Sequence, residues 1–267
     1  MLVDSHCHLD RLDLKRYDND FSRCIGETLS SGIGHLLCVS INLETYPAMR
    51  DQVDPYPEIS VSVGIHPNET IAQEPCVESL VTLANDPRVV AIGETGLDYF
   101  RNEGEFHRQQ ERFRTHIRAA RLVGKPLIIH TREARSDTLR ILKEEGADSV
   151  GGVLHCFTED WETAKAAMDL NFHVSFSGIL TFKNAAQIQD VARKLPMDRL
   201  LVETDSPYLA PVPKRGKPNY PEYVHYVAEF LAELRGTTYD DISNTTTENF
   251  FKLFSAASGQ TDSLGMP

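Results

Sequence analysis

Eight short β-rich segments recur along this 267-residue chain, and the stretches between them carry helical spacing. The segments are LVDSHCH, HLLCVSI, ISVSVGIHP, VVAIGETGLD, PLIIHT, VGGVLHCF, FHVSFSG and LLVETDSP. Between them, FHRQQERFRTHIRAARLVG and EDWETAKAAMDL repeat apolar residues every three or four positions, the period of an amphipathic helix. Strands alternating with helices imply parallel pairing, because the intervening helix carries the chain back to the same edge. Eight such units fit a closed (β/α)₈ TIM barrel, an α/β fold in a single domain. A doubly wound open sheet is the alternative.

Local signals set the boundaries. Gly124-Lys125-Pro126 closes one long helix and opens a strand, and Thr245 with Glu248 has capping-box spacing before a last helix at ENFFKLF. Residues 1–254 then form the barrel, and the small, polar residues 255–267 read as a flexible C-terminal tail. The Pro-, Gly- and Lys/Arg-rich APVPKRGKPNYPEY reads as a long loop after the eighth strand.

The five cysteines form no CxxC pair. Cys7 and Cys156 each follow a histidine, so on a strand they would face away from it. All five are expected to be reduced and mostly buried, as suits a cytoplasmic protein. The first residues show neither a basic nor an apolar leader region, and no apolar run approaches the roughly 20 residues of a membrane span. No membrane or obligate protein partner is therefore expected.

The polar residues fall at one place in each unit. Strand 1 ends in His6 and His8, strand 3 in His66, strand 4 in Glu94, strand 5 in His130, strand 6 in His155, and strand 8 in Glu203 and Asp205. In a barrel these C-terminal ends converge on one face. A single histidine of this kind is most often a hydrogen-bonded core residue, but the coincidence across strands points to metal. The set exceeds the three protein ligands of a usual catalytic zinc, so it predicts two divalent ions. Glu94, from the middle of the strand order, is placed to bridge them, with His6, His8 and Asp205 on one ion and His130 and His155 on the other. Asp205 is also the candidate to take a proton from the attacking water. Glu203 lies one layer deeper, either orienting a ligand or forming a buried ion pair. An imidazole-rich set suits Zn²⁺ or Mn²⁺ better than Mg²⁺, which could still serve in an assay.

The motifs DSHCHLD, GIHP, AIGETGLDY, IIHTR, LHCF and ETDSPYLAP, followed by RGKPNYP, resemble the TatD family of metal-dependent hydrolases, within the amidohydrolase-like barrels. The resemblance runs from about Met1 to Phe254. It implies divalent metals and deoxyribonuclease activity, often 3′–5′ exonucleolytic, with His6, His8, Glu94, His130, His155 and Asp205 as ligands and His66 near the scissile phosphate. One departure follows strand 6, where Thr158, Glu159 and Asp160 stand where the family often has glycine, placing acids near the expected mouth.

The expected substrate is single-stranded DNA or a frayed 3′ end. Arg132 after strand 5, and Arg215 and Lys217 in the loop after strand 8, are the candidates for phosphate contact; Asn219 could donate to phosphate or support that loop, and Tyr99 could stack on a base or pack against the neighbouring loop. Arg135 and Lys214 read as solubilising charges. With 27 basic against 39 acidic residues the net charge is −12, which excludes a broad basic surface that coats nucleic acid. That charge, with the wider superfamily, keeps open a hydrolase of amides, esters or lactones, of which the resemblance implies D-aminoacyl-tRNA deacylation as one member; a metal-dependent binding protein is the third reading.

Overall fold

The computed structural model describes residues 1–100, 104 and 106–257. Its strands are β1 (Leu2–Cys7), β2 (Ile33–Cys38), β3 (Ile59–Val63), β4 (Val89–Asp98), β5 (Leu127–Arg132), β6 (Gly152–Leu154), β7 (Phe172–Phe176) and β8 (Leu200–Val202). They pair in parallel in the order β1 to β8. A doubly wound sheet would interleave that order, so the open-sheet alternative falls. The first and last strands meet through the Cys7–Ser206 bridge, with His8 N–H donating to Ser206 O at 2.8 Å and Asp205 N–H to His6 O at 2.9 Å. The result is a nearly closed (β/α)₈ barrel.

The helices are α1 (Phe21–Ser30), α2 (Tyr46–Val53), α3 (Val77–Ala84), α4 (Phe106–Val123), α5 (Arg135–Glu144), α6 (Trp161–Asp169), α7 (Ala186–Lys194), α8 (Val224–Arg235) and α9 (Tyr239–Leu253). Among the described residues no helix is long and apolar enough to cross a membrane. Gly124 ends α4 in the left-handed region at φ 65°, where the absence of a Cβ costs least.

Alternation along each strand divides the core in two. One face, including Leu36, Val61, Leu127 and Phe172, packs on helix residues such as Ile25, Phe113 and Ile141. The other face supplies Val3, Leu37, Val90, Ile128, Val153 and Leu201, which meet Phe250, Phe254 and Ala257 at the floor of the barrel. Period two then places the functional residues. Two positions beyond Ile128 lies His130, and two beyond Val153 lies His155. Beyond Leu201 lie Glu203 and Asp205, so the apolar layer becomes a polar one toward the C-terminal face.

Two boundary expectations are corrected. The capping box of α9 is Thr238 with Asp241, reciprocally bonded at 3.0 and 3.2 Å. Thr245 and Glu248 lie inside that helix, because the polar first turn extends it well before the apolar ENFFKLF segment. The expected tail is also shorter, since Ala257 is fully buried in the floor cluster. Residues 258–267 of that tail lie outside the described residues. All five cysteines are free, and Cys7, Cys24 and Cys38 are buried.

Candidate metal centre

Glu94 stands at the middle of the polar layer and is 2 % exposed. Its Oε2 faces His6 Nε2 at 3.5 Å and His8 Nε2 at 3.7 Å. Its Oε1 faces His155 Nε2 at 2.8 Å, His130 Nδ1 at 3.1 Å and His66 Nε2 at 3.6 Å. One carboxylate thus turns a separate oxygen to each of two histidine sets. Asp205 Oδ1 joins the first set, 3.4 Å from His8 and 3.8 Å from His6. His6 and His155 stack with ring centroids 3.9 Å apart, where the two sets meet.

The partners on the far side of each ring decide what the near nitrogen can do. Nδ1 of His8 lies 2.9 Å from Val39 O, a carbonyl that can only accept, so Nδ1 carries the proton and a neutral Nε2 presents a lone pair. Nε2 of His130 donates to Asp98 Oδ2 at 3.1 Å, leaving Nδ1 toward Glu94. Nδ1 of His155 donates to Glu203 Oε1 at 3.3 Å, leaving Nε2 toward Glu94. Metal-ligating histidines are held by such outer partners. His66 is the opposite case. Its Nδ1 accepts from Asn68 N–H at 3.2 Å, so in the neutral ring Nε2 is a donor. The groupings His6–His8–Asp205, His66–Glu94–His130 and His6–His155–Glu203 each bring ligand atoms within 4.8 Å of one another. The tautomers make His66 a hydrogen-bond donor beside the cluster.

Electrostatics favour a cation here. Burial opposes the charge of Glu94, yet His155 and His130 hold its carboxyl well below the usual range. Burial likewise opposes a charged His155, while Glu94 and Glu203 push its pKa well above the ordinary value. His8 and His130 are raised against burial through Asp205 and Asp98 respectively. Burial lowers His66 to about 3, keeping it neutral. Buried carboxylates therefore draw positive charge to this layer, and the imidazole and carboxylate donors fit a borderline divalent ion.

Local backbone geometry supports the placement. Asp205 sits in the left-handed region at φ 55°, a conformation that costs on the order of 1–3 kcal/mol for a residue other than glycine. Tyr208 N–H donates to Asp205 O at 2.9 Å and pins the turn. At Gly96 (φ 139°) a Cβ would run into the carbonyl of His130, so only glycine lets β4 approach β5 at this height.

The cluster opens into a cavity of about 520 Å³ whose walls include Arg11, Asn68, Arg132, Thr158, Tyr208 and Leu209. Of the expected substrate contacts, Arg132 lines it, with its guanidinium 3.7 Å over the Phe100 ring. Arg215 and Lys217 are exposed on the loop after β8 and line no part of it; Arg215 lies 4.1 Å over Phe182. For Asn219 the loop-supporting role holds and the phosphate contact falls. The residue is fully buried, and its amide donates to Thr204 O at 2.9 Å and Tyr208 O at 2.6 Å, so it supports the Asp205 turn and has no donor left for phosphate.

Tyr99 follows its packing alternative. Its hydroxyl donates to Asp137 at 2.8 Å and its ring packs on Phe106, in a separate depression lined by Glu133, Arg135 and Glu159. The acids after Thr158 also turn away from the mouth. Asp160 caps α6 and pairs with Arg135, and Glu159 lines the depression beside Tyr99. Cys156 does not face away from His155 as a strand would require. Its φ of 43° breaks the alternation, and both residues reach the cavity.

Three contributors escaped the sequence reading. Asp98 holds His130, and Tyr208 and Arg11 line the cavity. Asp98 was open to detection, since it ends the ten-residue strand that contains Glu94. Nothing local marks the other two.

Residues 3–255 match the family described as TatD related DNase. The chain belongs to the TatD-related family. Among its TatD relatives, the uncharacterized metal-dependent hydrolase YcfH of Escherichia coli K12 is 50 % identical over 254 residues, 95 % of each chain. YabD of Bacillus subtilis, also an uncharacterized metal-dependent hydrolase, is 42 % identical, covering 95 % of this chain and 99 % of its own. The crystal structure of the TatD homologue YjjV from E. coli K12 superposes with a TM-score of 0.86 at 26 % identity, covering 95 % of this chain and 98 % of that one.

Proposed function

We propose that this metal-dependent hydrolase of the TatD family is a two-ion phosphodiesterase that shortens single-stranded or frayed DNA from the 3′ end. The observation carrying the reading is the Glu94 carboxylate, with one oxygen toward His6 and His8 and the other toward His130 and His155. We assign His6, His8, Glu94 and Asp205 to one ion, and Glu94, His130 and His155 to the other, with Zn²⁺ or Mn²⁺ favoured by the donors and Mg²⁺ able to serve. Such a pair, when bound, polarises a phosphoryl oxygen and supplies a hydroxide-like nucleophile at neutral pH.

The chain's own groups then have distinct tasks. Asp205, at the cavity wall, takes the proton of the attacking water. His66 donates Nε2–H to a phosphoryl oxygen, since its other nitrogen is already an acceptor. Glu203, through His155 and Cys156 N–H, orients a ligand and does not touch the substrate. Arg132 and Arg11 neutralise flanking phosphates at the rim, and Arg215 and Lys217 meet the strand farther out.

Metal-stripped protein reloaded separately with Zn²⁺, Mn²⁺ or Mg²⁺ and given single-stranded DNA labelled at either end tests this. Stepwise loss from the 3′ end is expected, absent in Asp205→Asn. Intact DNA under every loaded metal would discard the substrate. The −12 net charge and the apolar Ile41, Ile179 and Leu209 in the cavity wall would then favour an uncharged ester or amide.

A further inference from the structure

The inward face of α4 departs from the rule that a core-facing helix stripe is apolar. Gln109, Arg112 and His116 lie on it at one-turn and roughly two-turn spacing, and they are 1 %, 3 % and 0 % exposed. Burying such groups is unfavourable unless each is bonded. Apart from the Arg112–Glu74 ion pair, their hydrogen bonds beyond α4 run to residues 65–69 and to Asp98.

Gln109 Oε1 accepts from Asp98 N–H at 2.9 Å, and its Nε2 donates to Asp98 O at 3.1 Å and toward Asn68 Oδ1 at 3.4 Å. The Arg112 guanidinium donates to His66 O and Glu69 O, each at 3.0 Å, and pairs in bidentate fashion with Glu74 at 2.8 and 2.6 Å. His116 Nε2 accepts from Ile65 N–H at 3.1 Å, while its Nδ1 donates to Arg112 O at 2.8 Å. The stripe thus grips the main chain on both sides of His66. It also grips Asp98, whose carboxylate holds the far nitrogen of His130.

The other half of the cluster has its own support. At the β1–β8 seam, Asp4 accepts from Thr204 N–H at 2.8 Å and Thr204 Oγ at 2.5 Å, and Ser5 Oγ donates to Val202 O at 2.9 Å. These side chains add to the main-chain bonds of the Cys7–Ser206 bridge, beside the segments that carry His6, His8 and Asp205.

We infer that Gln109 of α4, through Asp98, is a positioning residue for the His130 ion alone, and that Arg112 and His116 position His66 beside it, while the Asp4–Thr204 seam positions the His6–His8–Asp205 ion. The inference rests on the two-ion reading above. Its consequence is that affinity for one ion can be weakened without the other. Gln109→Leu removes the grip on Asp98 and leaves every assigned ligand in place.

The test is Co²⁺ titration of the metal-stripped full chain, followed by visible absorption, with His130→Ala and His8→Ala marking which spectral component belongs to which site. Wild type takes two equivalents. Gln109→Leu is expected to bind roughly ten- to a hundred-fold more weakly only the equivalent that His130→Ala loses. Thr204→Val is expected to weaken the equivalent that His8→Ala loses. Gln109→Glu, which loses the amide donor to Asp98 O, is the second variant should Gln109→Leu fail to fold, and the same equivalent is expected to weaken.

Two wild-type affinities in a folded stripe variant, or parallel loss of both, would overturn the inference while leaving the two-ion reading intact. Uptake of one equivalent or none by wild type would remove that reading and the inference with it.

Discussion

Asp98 Oδ2 lies 3.1 Å from His130 Nε2, on the opposite side of the ring from Glu94. The carboxylate both orients the imidazole and makes its free nitrogen a better donor. Asp98→Ala is therefore expected to lower divalent-metal affinity roughly ten- to a hundred-fold and to reduce turnover at limiting metal. Excess metal should restore much of the turnover. Equilibrium dialysis beside a rate assay checks this, and unchanged affinity would remove the role.

His66 separates binding from chemistry. Since its Nε2 is a donor, His66→Ala is expected to keep two metal equivalents and lose on the order of 10²–10³ in kcat, the usual cost of one transition-state donor. Elemental analysis of the purified variant beside its kinetics tells the cases apart. Loss of an equivalent would make His66 a ligand.

Metal should stabilise the fold, and acid should release it. The raised pKa values of His8, His130 and His155 favour an added proton on the metal-facing nitrogen, which a metal must displace to reach the lone pair. Metal affinity is expected to rise with pH through the neutral range, with protons released on binding. Saturation at a hundred times Kd should add about 2.7 kcal/mol of apparent stability per site. Calorimetric titration in two buffers of different ionisation enthalpy measures the protons released. No buffer dependence would contradict the assignment.

His116 sets a pH dependence with the opposite cause. Burial lowers its pKa from 6.5 to about 4. Between those values the unfolded chain binds a proton that the folded chain refuses, so stability rises with pH across that window. The contribution is complete above pH 6.5 and falls away as pH drops toward 4, by about 3 kcal/mol at 1.36 kcal/mol per pH decade. His35 and His173 are lowered in the same direction by burial, so the comparison must isolate one residue. His116→Gln keeps an acceptor for Ile65 and a donor for Arg112 without titrating. Denaturant midpoints at pH 7.5, 5.5 and 4.5 are expected to fall less steeply in that variant, and parallel slopes would refute the attribution.

Sequence reading went furthest where the signal is periodic. HCH, LIIH and VLH each place a polar residue in step with buried neighbours, and the barrel brings those ends together. Reading failed where backbone broke step. Cys156 turns into the cavity because its φ is positive. Between two open roles, Asn219 spends its amide on Thr204 and Tyr208 and not on substrate. Tyr99 similarly spends its hydroxyl on Asp137.

By itself, the sequence determined the barrel, the face that carries chemistry and the residue types that converge there. Periods of 2 and 3.6 act over a few residues and need no knowledge of distant neighbours. Only the tertiary structure decided which histidine nitrogens are left bare, which Glu94 oxygen faces which set, and that α4 grips the His66 loop. Those outcomes depend on hydrogen bonds such as Ile65 to His116, 51 residues apart, and Thr204 to Asp4, 200 apart. A proton's position on a ring follows the partner on its far side, and no local spacing names that partner.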